Sequence, residues 1–339
     1  MARRGGWRRV RSGRGFRYED SRGRSITDTE QLERIESLAI PPAWQEVWIS
    51  PRPLAKLQAT GVDRAGRQQY LYHPEFRAEQ EQAKFDRLVL FGERLPDLRA
   101  AMSEHMGLES LEPDWTCAIA VRLINLGWFR VGTDRYAKKK SRTFGITTLR
   151  KSHVSVRGSR IAFRYRGKGR AWVRTALVDD ELADAMKELL AVEGGSRLFR
   201  YRYEGSLCNL TGARLNDYIG EHLGEEFTAK DFRTWGGTLM AAVALAERGP
   251  NETKTEAKRA VAAVMRGVGE RLGNTAAVAR SSYVSPAVVE QYLDGRTIDD
   301  FRPPHLRVVG ARDTGLDVEE RALLSLLRSW RIRRARMAA

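Results

Sequence analysis

The chain has little of what several large protein classes depend on. Two cysteines, Cys117 and Cys208, occur in 339 residues, too few for a disulfide framework or a thiolate metal site. That scarcity fits a reducing cytoplasmic compartment. The five histidines, at 73, 105, 153, 222 and 305, are scattered, with no pair at metal-ligand spacing. No apolar run approaches the ~18–20 residues that span a bilayer, so no membrane partner is expected. The opening MARRGGWRRVRSGRG carries charge without an apolar stretch and does not read as a secretory signal. A phosphate-binding G-x-x-x-x-G-K-[ST] loop is missing, because Ala162 stands where its first glycine would precede Gly167-Lys168. Gly267-Val268-Gly269 opens like a dinucleotide loop, yet it follows a helical stretch and Gly273 comes one place late. No metal and no nucleotide or other cofactor is expected.

What the chain does have is positive charge. Lys and Arg number 59 against 43 Asp and Glu, a formal net charge of +16. Arginine crowds both ends, in RRGGWRRVRSGRGFR and RSWRIRRARMAA, and recurs between them. Cationic side chains neutralise phosphates and release counterions, so nucleic acid is the expected partner. The competing reading is a basic protein with solvated tails. With 42% apolar residues, the chain can build two ordinary domains, each with its own core.

The patterning divides it. Residues 1–24 read as a flexible basic arm. Thr27-Asp28-Thr29-Glu30 fits a capping box ahead of Leu32, Ile35 and Leu38 at helical spacing, and Pro41-Pro42 ends that helix. Val47–Ile49, Leu57–Val62 and RQQYLYHP read as strands, the last with Gln69 and Leu71 facing one way and Tyr70 and Tyr72 the other. Residues 25–85 are thus expected to be a small antiparallel β domain. Helices dominate from about residue 75, which puts the boundary near 85 and makes 86–339 a second, mainly helical domain. Within it HVSVRGSRIAFRYRGKGRAWV alternates as a short β hairpin, with turns at Gly158 and at Gly167-Lys168-Gly169. AAVARSSYV reads as a short helix, and Ser285-Pro286 as N-cap and first residue of the next. A Pro303-Pro304 break precedes the last segment, and no internal repeat is present. The expected fold class is α+β.

Taken singly, the candidate site residues are ordinary. Arg130 in WFRVGTDRY, Lys168 in YRGKGRAWV and Arg233 in KDFRTWGG could each be a surface charge. Tyr283 in ARSSYVSP could be a packing tyrosine, and Asn274 in LGNTAAVA a helix N-cap. Their order and spacing read as one constellation, with Tyr283 nine residues after Asn274. Through DRAGRQQYLYHP, RLINLGWFRVGTDRYAKKK, FGITTLRKSHV, the GK hairpin, KDFRTW and LGNT…SSY, over roughly residues 40–295, the chain resembles the type IB DNA topoisomerases. The likeness is to their short, poxvirus-like branch with bacterial members. That resemblance implies the following assignments. Arg130 and Arg233 would be the catalytic arginines, Lys168 the catalytic lysine, Asn274 the phosphate-binding residue and Tyr283 the nucleophile. It places Gln69, Tyr70 and Tyr72 on a strand against duplex DNA, and Tyr136 and Lys230 near the backbone at the cut. It implies a monomer closing as a two-domain clamp around double-stranded DNA, and a cytoplasmic, nucleoid-associated location. It also implies relaxation through a 3′-phosphotyrosine, without ATP or metal. One position departs: the viral and recombinase relatives carry His where this chain has Asn274, which donates a hydrogen bond but bears no charge.

The chemistry calls for these residue types. Attack of a phenol on a phosphodiester builds negative charge on the nonbridging oxygens, and two guanidiniums offer rigid, permanently charged donor forks that match phosphate geometry. The departing 5′-oxygen needs a proton, which a lysine on a Gly-flanked hairpin tip could supply. A tyrosine titrates near ~10, so the nucleophile needs help, and no general base stands out. Two alternatives use the same features. A tyrosine recombinase shares the Arg-Lys-Arg-Tyr set, but in those enzymes His stands three residues before the second arginine, where this chain has Lys230. A non-catalytic DNA-binding protein would have no use for Lys168 on a hairpin or for the Asn274–Tyr283 spacing.

Overall fold

The computed structural model describes residues 5–138, 142–302 and 315–338, divided into two compact units, Met1–Lys84 and Phe85–Ala339. The first unit is an antiparallel sheet with one helix. Its strands are β1 (Trp7–Ser12), β2 (Gly15–Glu19), β3 (Gln45–Ile49), β4 (Leu57–Val62) and β5 (Gln68–Tyr72), in the order β2-β1-β3-β4-β5. Helix α1 (Thr29–Ser37) starts at Asp28, whose carboxylate accepts from the Gln31 amide, one residue later than the expected Thr27 cap. Trp7, Ile35, Ile40, Val47, Ile49 and Ala59 form the core.

From Trp7 to Glu19 the basic segment is not a flexible arm. Residues 7–19 are the β1–β2 hairpin, in register from Arg8 opposite Glu19 to Ser12 opposite Gly15. The charge hides an alternating pattern in which Trp7 is buried and Tyr18 packs against the core. Arg9 is structural: its guanidinium covers Phe16 at 4.2 Å and donates to the carbonyls of Ile40, Pro41 and Trp44 at 2.8–3.1 Å. A cation that satisfies three carbonyls and covers a ring is held in place, unlike a solvated side chain.

Helix α2 (Pro74–His105) begins in the first unit and runs on into the second. The second unit continues with α3 (Pro113–Gly127) and a short α4 (Asp134–Lys138). Next come β6 (Val154–Arg157), β7 (Arg160–Arg166) and β8 (Trp172–Val178), a three-stranded antiparallel sheet where a hairpin was expected. After α5 (Asp180–Ala191) a second hairpin, β9 (Arg200–Tyr203) with β10 (Ser206–Asn209), had no counterpart in the sequence reading. The rest is helical: α6 (Gly212–Leu223), α7 (Ala229–Ala246), α8 (Lys254–Leu272), α9 (Ala276–Ser282), α10 (Pro286–Leu293) and α11 (Val318–Ala338). The Pro303-Pro304 break lies outside the described residues.

Two helices form the centre. Buried residues crowd α3, with Trp115 to Val121, Leu123 and Ile124 all inside. Helix α7 starts in a capping box, Thr228 with Asp231, and buries Phe232 through Thr238. Helix α11 ties the far side. Glu320, 4% exposed, accepts two 2.7 Å bonds from Arg99 and one from the Trp235 indole on α7. Along α11, Trp330 donates to Glu290 and Arg333 to Gln291, which fixes α10. Buried charge is tolerable here because each lone pair of the carboxylate has a donor. No helix among the described residues is long and apolar enough to cross a membrane.

Candidate active site

The site is assembled at the point where α3, α7, α8 and α9 meet. Helix α3 stops at Gly127 and Trp128 takes the left-handed cap conformation at φ 51°, turning the chain toward Arg130. Beyond it the backbone is pinned: the Ile146 amide donates to the Arg130 carbonyl at 2.8 Å, and Thr147 does the same to Val131. The Arg130 guanidinium donates to the Gly273 carbonyl at 3.1 Å and to Asn274 Oδ1 at 3.0 Å. A guanidinium has only donors, so the amide oxygen of Asn274 must be the atom facing it. Asn274 Nδ2 donates to the Leu272 carbonyl at 3.3 Å, leaving one N–H uncommitted. Asn274 is not an N-cap; that place belongs to Thr275, which accepts from Val278.

Arg233 lies on α7, 5% exposed, with its guanidinium bridging two segments. One amino group donates to the Trp128 carbonyl and the other to the Leu272 carbonyl at 2.7 Å. Its Nε is buried with no partner. Burial, reinforced by Arg130, pulls its pKa below the usual guanidinium value. Two cations held together in this way suit a site that receives an anion.

Tyr283 closes α9, its guanidinium neighbour Arg233 lying 5.0 Å from the ring centroid. The backbone is held by Thr238, whose hydroxyl donates to the Tyr283 carbonyl at 3.2 Å and accepts from the Ser285 amide at 3.1 Å. Two adjacent glycines allow this approach. A Cβ on Gly237 would sit 2.7 Å from the Tyr283 carbonyl oxygen, and one on Gly236 would run into the Trp128 indole nitrogen. Burial pushes the phenol of Tyr283 up. Arg233, by charge and hydrogen bonding, outweighs it together with Arg130 and Lys168, so the pKa lies below the ordinary tyrosine value.

Lys168 occupies the turn between β7 and β8, exposed, with Gly169 in the left-handed region at φ 71°. The turn is closed by Gly167 donating to the Ala171 carbonyl at 2.8 Å and Arg170 to that of Gly167 at 3.0 Å. Arg130, Lys168, Arg233, Asn274 and Tyr283 thus come together from five separate segments. A cleft of about 450 Å³ opens beside them, lined by Trp128, Arg130, Tyr165, Gly167, Arg233 and Arg271 among others. Among the described residues no cluster of three or more His, Cys, Asp or Glu could hold a metal ion.

The remaining predicted residues lie elsewhere. Tyr136 on α4 and Lys230 in the first turn of α7 are exposed. In the first unit, Tyr70 and Tyr72 are about half exposed and stacked, centroids 6.2 Å apart. Gln69 points to the other face of β5, where its amide donates to Asp63 Oδ2 at 2.9 Å. That carboxyl, gripped first by the Arg67 side chain, titrates down at about 2. Gln68, not Gln69, shares the exposed face with the tyrosines.

Sequence reasoning missed two groups. Trp172 on β8, 44% exposed, is ringed by the guanidiniums of Arg166, Arg164 and Arg174 at 3.9, 5.1 and 5.8 Å. Its signal was present: in RYRGKGRAWVR the period of two puts Arg164, Arg166, Trp172 and Arg174 on one face once the turn is counted. The support of Gly236, Gly237 and Thr238 had no such signal, since its partners lie in distant segments.

Comparison with known proteins bears on the whole chain. A family model described as eukaryotic DNA topoisomerase I, catalytic core, matches residues 73–298, and one described as bacterial DNA topoisomerase IB, N-terminal domain, matches residues 15–63. The DNA topoisomerase 1B of Acanthamoeba polyphaga mimivirus is 32% identical over 332 residues, covering 95% of this chain and 94% of the viral protein. DNA topoisomerase 1B of Vaccinia virus (strain Copenhagen) and DNA topoisomerase I of Monkeypox virus are each 20% identical over 280 residues, 80% of this chain and 85% of theirs.

Proposed function

The chain belongs to the type IB DNA topoisomerases, isomerases that act on DNA, and from that premise we propose that it relaxes supercoiled duplex DNA through a covalent bond at Tyr283. One observation carries the reading: the Tyr283 phenol lies against Arg233, with Arg130 and Lys168 acting on it by charge, so that its pKa falls despite burial. A phenolate favoured in this way is a stronger nucleophile at neutral pH, and the same cations stabilise the phosphate it attacks.

In the proposed reaction the Tyr283 oxygen attacks phosphorus and a 3′-phosphotyrosyl bond forms as the P–O5′ bond breaks. Arg233 and Arg130 take the charge growing on the nonbridging oxygens, with the unpartnered Nε of Arg233 and the spare N–H of Asn274 as further donors. Asn274 works chiefly by aiming Arg130, a task that needs an acceptor and no charge. Lys168 gives its proton to the departing 5′-oxygen, and the strand end then turns until the reverse step reseals it. One ester replaces another, so no ATP is consumed, and the guanidiniums supply the charge for which other enzymes use a metal.

The protein would act as a monomer in the cytoplasm, on the nucleoid, its two units closing on the duplex as a clamp. Docking of α11 onto α10 within one chain supports a site complete without a second copy. The exposed Tyr70 and Tyr72 face, Tyr136 and Lys230 are the proposed DNA contacts. The decisive assay is plasmid relaxation in EDTA without nucleotide, with denatured samples examined for protein covalently joined to a DNA 3′ end. Relaxation without such an adduct would sink the reading.

A further inference from the structure

Strand β7 turns Ile161, Phe163 and Tyr165 toward the interior, all three buried. The first two bring only carbon. Tyr165 brings a hydroxyl to the cleft that Arg130, Gly167 and Arg233 also line, yet the residue is only 3% exposed. Tyr165 lines that cleft, and Arg130 and Arg233 both act on its phenol by charge. Its position three residues before Lys168 puts it on the inner wall of the hairpin whose tip carries that lysine.

Two tyrosines therefore share the same two arginines, and they respond in opposite directions. At Tyr283 the cations win and the phenol ionises more easily; at Tyr165 burial wins over Arg130 and Arg233, and the proton is held more tightly. A pair whose environments push them apart takes opposite roles, one giving electrons and the other keeping its proton. Arg130 and Arg233 can donate to the Tyr165 oxygen but have no lone pair to receive its hydrogen. An acceptor can come from what enters the cleft, and an anion that fits between two guanidiniums is a phosphodiester.

Resting on the topoisomerase reading above, we propose that Tyr165 is a further catalytic residue. Its O–H donates a hydrogen bond to a nonbridging oxygen of the scissile phosphate held by Arg130 and Arg233. It supplies a neutral donor on the hairpin side of the site. Asn274 cannot do so fully, because its amide oxygen faces Arg130 and one of its N–H groups is bound to Leu272.

The test is Tyr165→Phe, which removes one oxygen and keeps the packing. Single-turnover cleavage of an ordinary duplex by the full-length variant should slow by about 10- to 100-fold, the range lost with a single transition-state donor, at unchanged duplex affinity. Duplexes carrying a methylphosphonate at the cut, in each of the two diastereomers, give the readout that a packing role would not move. The diastereomer with methyl in place of the contacted oxygen should be cleaved equally by wild type and variant, and the other should preserve the difference. Equal rates on the ordinary duplex, or a defect of the same size in both diastereomers, would overturn the proposal. Wild-type protein forming no Tyr283 adduct would instead remove the topoisomerase mechanism beneath it, so the two failures are distinguishable.

Discussion

The β5 face of the first unit and the arginine–tyrosine cluster of the second are built on opposite principles. On β5 the exposed residues Gln68, Tyr70 and Tyr72 come from one strand, and alternation alone puts them side by side. In the cluster, Arg233 reaches Trp128 over 105 residues and Arg130 reaches Asn274 over 144. The first is a surface that any properly paired strand would present, and each residue adds a small increment. The second is a geometry that exists only when five segments fold together, and each member depends on the others. Substitutions on β5 should therefore change how tightly DNA is held. Substitutions in the cluster should change whether the bond breaks.

Tyr283→Phe draws the contrast most sharply. Covalent adduct and relaxation should be abolished, while duplex affinity stays within about twofold, because the phosphate contacts survive. An adduct persisting in the variant would move the nucleophile to another tyrosine. The same variant carries a pH signature. The lowered pKa means Tyr283 gains its charge at lower pH than an ordinary phenol, so the ultraviolet titration of the free protein should lose its earliest-ionising tyrosine. A lost component that titrates above ~10 would reverse the sign of the argument.

Lys168→Ala should slow cleavage by ~10²–10⁴, the range of general acid catalysis. A substrate with sulfur in place of the bridging 5′-oxygen leaves without a proton and should restore the rate. If the defect stays at full size, Lys168 is a phosphate anchor and the acid assignment fails. Smaller in effect, Gly237→Ala tests the support beneath the cluster. Its Cβ would press 2.7 Å from the Tyr283 carbonyl, and a displaced nucleophile should cost about 10- to 100-fold in cleavage with little change in DNA affinity. Unchanged cleavage would show that Tyr283 does not depend on that close approach.

The smallest effect is expected on β5. Tyr70→Ala with Tyr72→Ala should weaken duplex binding by about 3- to 10-fold, on the order of 1 kcal/mol, and leave the cleavage rate at saturating protein unchanged. A cleavage defect at saturation would mean that the sheet takes part in assembling the site, and the contrast between the two regions would break down.

How much was legible follows the same division. The strands from Val47 to Tyr72 were readable because side chains alternate, and the helix start at Ser285 because a capping residue acts within its own turn. The β1–β2 hairpin was not, since arginine content masked the alternation of Trp7, Phe16 and Tyr18. The β9–β10 hairpin is four residues a side, too short to announce itself. Arg130, Lys168, Arg233, Asn274 and Tyr283 were singled out by the family resemblance, which says nothing of what each one touches.

The sequence by itself determined the basic character, the α+β class and the two-part division, and its family resemblance singled out five candidate site residues. It did so because these depend on composition, on periodicity within one element and on the order of motifs. Only the tertiary structure decided that Asn274 faces Arg130 through its oxygen and that Gln69 is held by Asp63. It alone let Gly236 and Gly237 admit Trp128 and Tyr283, and made two tyrosines beside the same arginines titrate in opposite directions. Burial and charge at a point in space are sums over residues far apart in the chain, and no local pattern carries such a sum.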